Sequence, residues 1–269
     1  MSGLPDRHAA PEGPVSDVIL FEHPLNEKCR TLLRLSHLFD QLDYHAPEDN
    51  PWHARAALRA LLDISVILAR ADIKSELLKE MDRYQASLSR MADLPHVDHD
   101  RLQHILQSLR QAQQAIQGVK GQLGAALRKS EFLNSVLQRS AIPGGGFDFD
   151  LPQLHYWLAQ PHAERLLQFD DWRSEVNAVH EAVELLLGLI RHSTTFSRQE
   201  ARAGFYQQSL PGDASVQMVR VRLPADSPVY AEISGGKHRF SIRFMDSSDW
   251  EHPVQTARNL PFDLNVCII

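Results

Sequence analysis

The chain has 269 residues, 43% hydrophobic and 23% charged, the proportions of a soluble globular protein large enough for one or two domains. The net charge is −6, and from Thr195 onward eight basic and eight acidic side chains cancel, so the acidity belongs to the residues before it. That balance argues against a general nucleic-acid binder and leaves any attraction for anions to local clusters. No apolar run of about 18 residues predicts a membrane-spanning helix. Cys29 and Cys267, the two cysteines, cannot build a disulfide framework, which points to the reducing cytoplasm.

Residues 1–16, "MSGLPDRHAAPEGPVS", lack the apolar centre of a signal peptide, and their Pro, Gly and Ala content predicts a disordered leader. "DVILFEHP" predicts a strand over 17–24, ended by Pro24. A helical domain is expected over 25–193. "NEKCRTLLRLSHLFDQL" carries Cys29, Leu32, Leu33, Leu35, Phe39 and Leu42 near helical spacing. "PWHARAALRALLDISVILARAD" opens with Pro51 after Asn50, a helix start signal. "IKSELLKEMDRYQASLSRM" repeats at Leu77, Met81, Tyr84, Leu88 and Met91, a stripe that reads as core. "DRLQHILQSLRQAQQAIQ" has a narrow seam at Leu102, Ile105, Leu109, Ala112 and Ile116, flanked by Gln and Arg. Such a seam suits helix pairing, within the chain or across a dimer. "RKSEFLNSVLQRSAI" ends at Pro143 and three glycines. "FDFDLPQLHYWL" restarts with Asp150 as N-cap and Gln153 three residues on, a capping box. "SEVNAVHEAVELLLGLIRH" reads as the last long helix.

The period then changes from 3.6 to 2. "AGFYQQSL", "QMVRVRL", "VYAEIS", "KHRFSIRFM" and "FDLNVCII" read as strands of a β domain over 194–269, with "SGGK" as a hairpin turn. The fold class is therefore α+β: an N-terminal strand, a multi-helix domain, then a small antiparallel sheet. The lone first strand needs a partner, and the C-terminal sheet is the obvious one. That pairing would clamp the start of the first helix against the sheet.

Catalytic and metal chemistry find little support. His96, His99 and His104 gather with Asp98 and Asp100, a zinc-like composition, but Asp98 or Asp100 also reads as a helix cap and the histidines as solvated. "PGGGFDFD" follows a helix and lacks the Lys-Ser/Thr of a phosphate loop, so it reads as a helix stop and linker. No Ser, His or Asp sits in a nucleophile frame. The chain reads as non-catalytic, with no cofactor and no metal.

The basic residues are distributed with more pattern. In "GGKHRFSIRFMD", Phe240, Ile242 and Phe244 go to one strand face, and Lys237, Arg239, Ser241 and Arg243 to the other. In "QMVRVRLP", Val219, Val221 and Leu223 alternate with Arg220 and Arg222. Like charges across strands destabilise a sheet, so something should compensate them. The first helix adds Lys28, Arg30 and Arg34, the last two being neighbours on one face. Two accounts follow. One is an ordinary solvated surface in which Glu22, Glu27 and Glu232 pair with the arginines. The other is a joint basic site for an anionic segment with apolar side chains, with Phe205, Tyr206 and Tyr230 as its floor.

"ILFEHPLNEKCRTLLRL", "ELLKEMDR", "IPGG" with "FDLPQLHYWL", "GFYQ" and "ISGGKHRFSIRFM" resemble, in order, the ZapD family of bacterial cell-division proteins, from about residue 18 to about 245. The resemblance implies a cytoplasmic homodimer, located at mid-cell, with a helical and a β domain. It implies no nucleic-acid partner and no membrane insertion. It also implies binding to the acidic and apolar C-terminal tail of the tubulin-like division protein FtsZ, with bundling of its protofilaments to stabilise the Z ring. The partner-binding residues expected on this basis are Arg30, Arg34, His155, Arg220, Arg222, Lys237, Arg239 and Arg243. The helix before "IPGG" carries Glu131 beside Arg128 and Lys129, where the family's stretch is more basic. Two other classes compete: a small-molecule enzyme with its site among the helices, and an anion- or nucleic-acid-binding module using the basic sheet.

Overall fold

The structure is a computed structural model that describes residues 17–70, 72–91, 97–211 and 215–268. The predicted leader over 1–16 and His96 lie outside the described residues. The chain divides into two units, one made of residues 17–25 with 194–268 and one of residues 26–193.

The β unit holds β1 (Val18–Pro24), β2 (Ser197–Ala201), β3 (Phe205–Ser209), β4 (Val216–Pro224), β5 (Val229–Gly235), β6 (Arg239–Asp246) and β7 (Leu260–Ile268). The single sheet expected from the sequence is two. One has the order β1-β4-β7-β2 and the other β3-β6-β5, all neighbours antiparallel. β1 finds its partner as expected, pairing with β4 from Val18↔Pro224 to Pro24↔Met218. The two sheets share one core. Val219, Val221, Leu223, Phe262 and Leu264 of the first meet Phe240, Ile242, Phe244, Val229 and Ala231 of the second. The Phe244 and Phe262 rings lie 4.9 Å apart across that core. β2 carries no hydrophobic alternation and was not legible as a strand. It is held by β7, with Arg198 paired to Asp263 at 3.1 Å directly across the ladder. The "SGGK" turn joins β5 to β6, and a side chain at Gly235 would put its Cβ 2.7 Å from the Cβ of Phe240, so that position has no room for one.

The helical unit holds α1 (Glu27–His45), α2 (Pro51–Leu68), α3 (Ile73–Ser89), α4 (His99–Gly118), α5 (Ala125–Lys129), α6 (Glu131–Arg139), α7 (Pro152–Leu158), α8 (His162–Ser174) and α9 (Asn177–Arg191). Asn26, Asn50 and Asp98 cap α1, α2 and α4 through their side chains. Asp98 is therefore explained by its cap. The capping box expected at Asp150 does not form. Leu151 is the N-cap residue of α7 without a side-chain bond, while the Asp150 carboxylate faces Arg139 at 3.5 Å. Pro152 at the first turn removes one donor that would otherwise need a cap. The single helix expected over 128–142 is broken by Ser130, whose hydroxyl accepts from Leu133 N and starts α6.

α9 turns Val179, Ala182, Val183, Leu186, Leu187 and Ile190 into the core. α1 and α4 both pack against it. The Phe39 ring stacks on His180 at 4.3 Å, and Ser36 donates to Glu184 at 2.7 Å. The Gln-rich seam of α4 packs on α3 and α9 of the same chain, with Leu106 buried in place of the expected Ile105. α8 was not legible in the sequence because its buried positions include a charge, Arg165 beside Phe169 and Trp172. Arg165 donates to the carbonyls of Leu158 and Gln160 and pairs with Asp49 at 3.0 Å, which ties the α7–α8 junction to the α1–α2 loop.

The shared core of the β unit predicts a contrast between two neighbouring phenylalanines. Phe240 is fully buried between the sheets, and Phe205 is exposed. Phe240→Ala should cost about 3–5 kcal/mol, and Phe205→Ala about 0.5 kcal/mol or less. Urea unfolding followed by circular dichroism measures both.

Candidate peptide-binding face

The alternation of β6 carries one face of a candidate site. Because Phe240, Ile242 and Phe244 fill the core, Arg239, Ser241 and Arg243 must point outward. The registers place Ser209, Gln207 and Phe205 of β3 beside them on one side, and Ser234 and Glu232 of β5 on the other. Ser234 and Ser241 share a hydrogen bond of 3.0 Å, and Arg243 pairs with Glu232 at 3.2 Å, an exposed contact. At the β5–β6 turn, Lys237, His238 and Arg239 border a groove of about 430 Å³ together with Gln207, Ser234 and Ser241. Lys237 and Arg239 are exposed and make no ion pair with a described residue.

Arg220 and Arg222 do not join this face. They project from β4 in the other sheet, whose inward side chains fill the same core, so the two arginine pairs point away from each other on opposite outer faces of the β unit. The register places Glu22 opposite Arg220, and the pair closes at 2.8 Å with both side chains largely buried. The Phe196 ring lies under both guanidinium groups, 3.9 Å from Arg222 and 5.2 Å from Arg220. These contacts offset the like-charge repulsion that the sequence raised for β4.

The remaining expected residues belong to the helical unit. Arg30 pairs with Glu27 at 3.1 Å on α1. Arg34, one turn further along α1, is exposed and makes no ion pair with a described residue. His155 on α7 is exposed, with Nδ1 at 2.9 Å from Asp148. The three acidic partners anticipated for an ordinary solvated surface, Glu22, Glu27 and Glu232, are thus the ones found. Tyr206, expected in the floor of the site, turns inward. Its ring meets Phe262 at 5.2 Å, its hydroxyl donates to Gln208 at 3.0 Å, and burial pushes its pKa up. Phe205 does lie on the outer face, and Tyr230 is half-buried on β5. The sequence reading missed Phe196. Its signal was the aromatic immediately ahead of β2, which no period marks.

What the β6 face offers chemically is exposed charge. Lys237 is a mobile point charge, Arg239 a planar fork for a carboxylate, and Phe205 an exposed apolar surface. Among the described residues, no group of three His, Cys, Asp or Glu could hold a metal ion, and no helix is long and apolar enough to cross a membrane.

The family model for ZapD, described as a cell division protein, matches residues 33–243. The chain is similar to the cell division protein ZapD of Methylococcus capsulatus, 41% identical over 251 residues, 93% of this chain and 98% of the relative. It is also similar to the cell division protein ZapD of an Azoarcus species, 34% identical over 252 residues, 94% of this chain and 100% of the relative.

The two arginine pairs of the β unit should respond oppositely to charge reversal. Arg220→Glu sets two carboxylates against each other in a largely buried register position and should cost about 3 kcal/mol. Arg239→Glu, on the open face, should change stability by about 0.5 kcal/mol or less. Chemical denaturation of the two variants side by side is the measurement.

Proposed function

The chain belongs to the ZapD family of cell division proteins, and from that premise we propose that it is a non-catalytic factor that binds the C-terminal tail of FtsZ. Acting as a homodimer in the cytoplasm at mid-cell, it cross-links FtsZ protofilaments and so stabilises the Z ring. The observation that carries the proposal, beyond family membership, is that three of the expected cations, Arg34 on α1 and Lys237 with Arg239 beside the β6 groove, are exposed and have no acidic partner among the described residues. Paired cations such as Arg220 already spend their charge inside the unit. A strand face with an unpaired guanidinium, Arg239, near one end and an exposed ring, Phe205, near the other suits a peptide that mixes carboxylates with apolar side chains. Arg30, Arg243 and His155 have weak, exposed partners that an incoming carboxylate can displace. A cross-linker needs two such sites, which a two-fold dimer provides.

Co-sedimentation with FtsZ polymers, with light scattering for the oligomeric state, tests the proposal. The wild-type protein should be a dimer at micromolar concentration and should bundle filaments. Bundling should weaken with salt as the Debye length falls from about 10 Å at 0.1 M to about 3 Å at 1 M. Arg34→Glu and Arg239→Glu should each lower affinity for the FtsZ tail by tenfold or more, leaving the fold and the dimer unchanged. A monomer, or wild-type affinity in a folded double variant, would overturn the cross-linking mechanism or the basic site respectively.

A further inference from the structure

The basic face of β6 has charge but little apolar surface beyond Phe205. The helical unit has the converse. Between α2, α6 and the start of α7 lies a groove of about 470 Å³, in the size range of ligand pockets. Leu62, Val136, Leu151 and Leu154 form its buried floor. Its rim keeps three large apolar side chains in water: Trp52 is 76% exposed, Phe147 60% and Ile142 47%. A cluster of this kind around a concave floor marks an interaction surface, whereas scattered single residues would not.

The wall of the groove is built by backbone. Gly144 has φ +72, the left-handed region that disfavours other residues. A Cβ at Gly145 would lie 2.5 Å from the carbonyl oxygen of Arg139. One at Gly146 would lie 3.0 Å from Arg55 Nη1, the atom that donates to the Gly146 carbonyl at 2.9 Å. The glycines that resemble a phosphate loop in the sequence therefore let the chain pass close to Arg55, whose guanidinium sits 5.8 Å from the Trp52 ring centre. Among the described residues, the charged side chains lining the groove are Arg55 and Arg59. Arg59 bonds Asp63 through Nε. No carboxylate of the described residues lines the wall, so the complementary occupant is apolar in its body and anionic at its edge.

We propose that this groove seats the apolar anchor of the FtsZ C-terminal tail, with Arg55 and Arg59 receiving an adjacent carboxylate. The assignment rests on the reading that the tail is the partner. The exposed aromatic residues set the affinity, as large side chains in a desolvated pocket do at peptide interfaces.

Fluorescence anisotropy with a labelled FtsZ tail peptide tests it. Trp52→Ala and Phe147→Ala are the informative variants, because both side chains are exposed and their loss leaves the floor intact. Each should weaken peptide binding by about tenfold or more with an unchanged circular dichroism spectrum. Arg55→Glu should do the same, although it also disturbs the Gly146 contact. Wild-type affinity in the folded Trp52→Ala, Phe147→Ala double variant would overturn the groove and leave the FtsZ reading standing. No binding of the peptide by the wild-type protein would overturn both. A dimer that dissociates in the double variant while peptide affinity stays unchanged would make the groove a contact between copies of the chain, and overturn the assignment.

Discussion

Two sheets that share a single layer of inward side chains leave their charged residues no choice of direction. Once Phe240, Ile242 and Phe244 of β6 and Val219, Val221 and Leu223 of β4 meet in one core, the arginines between them must leave on opposite outer faces. Like charges that would otherwise crowd a single surface are thereby separated by the thickness of two packed sheets, roughly 10 Å. Each face then solves its own electrostatic problem. On β4, Glu22 and the Phe196 ring absorb both guanidinium groups, and the first strand of the chain contributes that glutamate by pairing with β4. On β6, Glu232 takes Arg243 and nothing described takes Arg239. The difference between a structural arginine and one available for recognition therefore follows from which neighbours the ladder brings opposite it.

The helical unit follows the same logic with buried charges. Glu80 on α3 is nearly inaccessible to solvent, yet it receives Lys28 from α1 and Arg83 from its own helix, at 2.6 and 2.5 Å. Arg165 is buried too and satisfies two backbone carbonyls at the end of α7 besides Asp49. A charge left unpaired at such depth would cost several kcal/mol, so these contacts fix the places where helices meet. An aromatic cluster of Phe132, Trp157, Phe169 and Trp172 joins α6, α7 and α8. α7 is short and has no side-chain cap, so its position depends on these neighbours more than on its own propensity. The groove beside α2 inherits its shape from that anchoring.

The two periods made most of the fold legible. Long stripes such as the one through Leu102, Leu109 and Ile116 survive as buried faces, and Asn26 and Asn50 cap the helices that follow them. What escaped the sequence lacks a period. α8 buries an arginine, β2 carries Arg198 and Glu200 in five residues, and Ser130 divides what a continuous pattern joins. The candidate site was legible in part for a related reason. Alternation assigns Arg239 and Arg220 to the wet side of their strands, and nearby glutamates suggest their partners. Alternation does not say which sheet a strand joins, and that choice put the two arginine pairs back to back.

An acidic protein with local clusters of exposed cations can select among anions by range. At physiological salt a charge is felt over about 8 Å. A long polyanion approaching the chain meets the field of many surface groups at once, and their sum is negative. On the proposed reading, a short acidic tail settles within a Debye length of Lys237 and Arg239, or of Arg55, and feels chiefly those positive groups. On that reading, local charge brings the tail to the surface, and apolar contact decides whether it stays. Charge complementarity governs on-rates and rejects wrong partners more than it sets affinity. Trp52 and Phe147, although they carry no charge, are therefore the residues best placed to separate an acidic segment with an apolar anchor from one that is acidic alone.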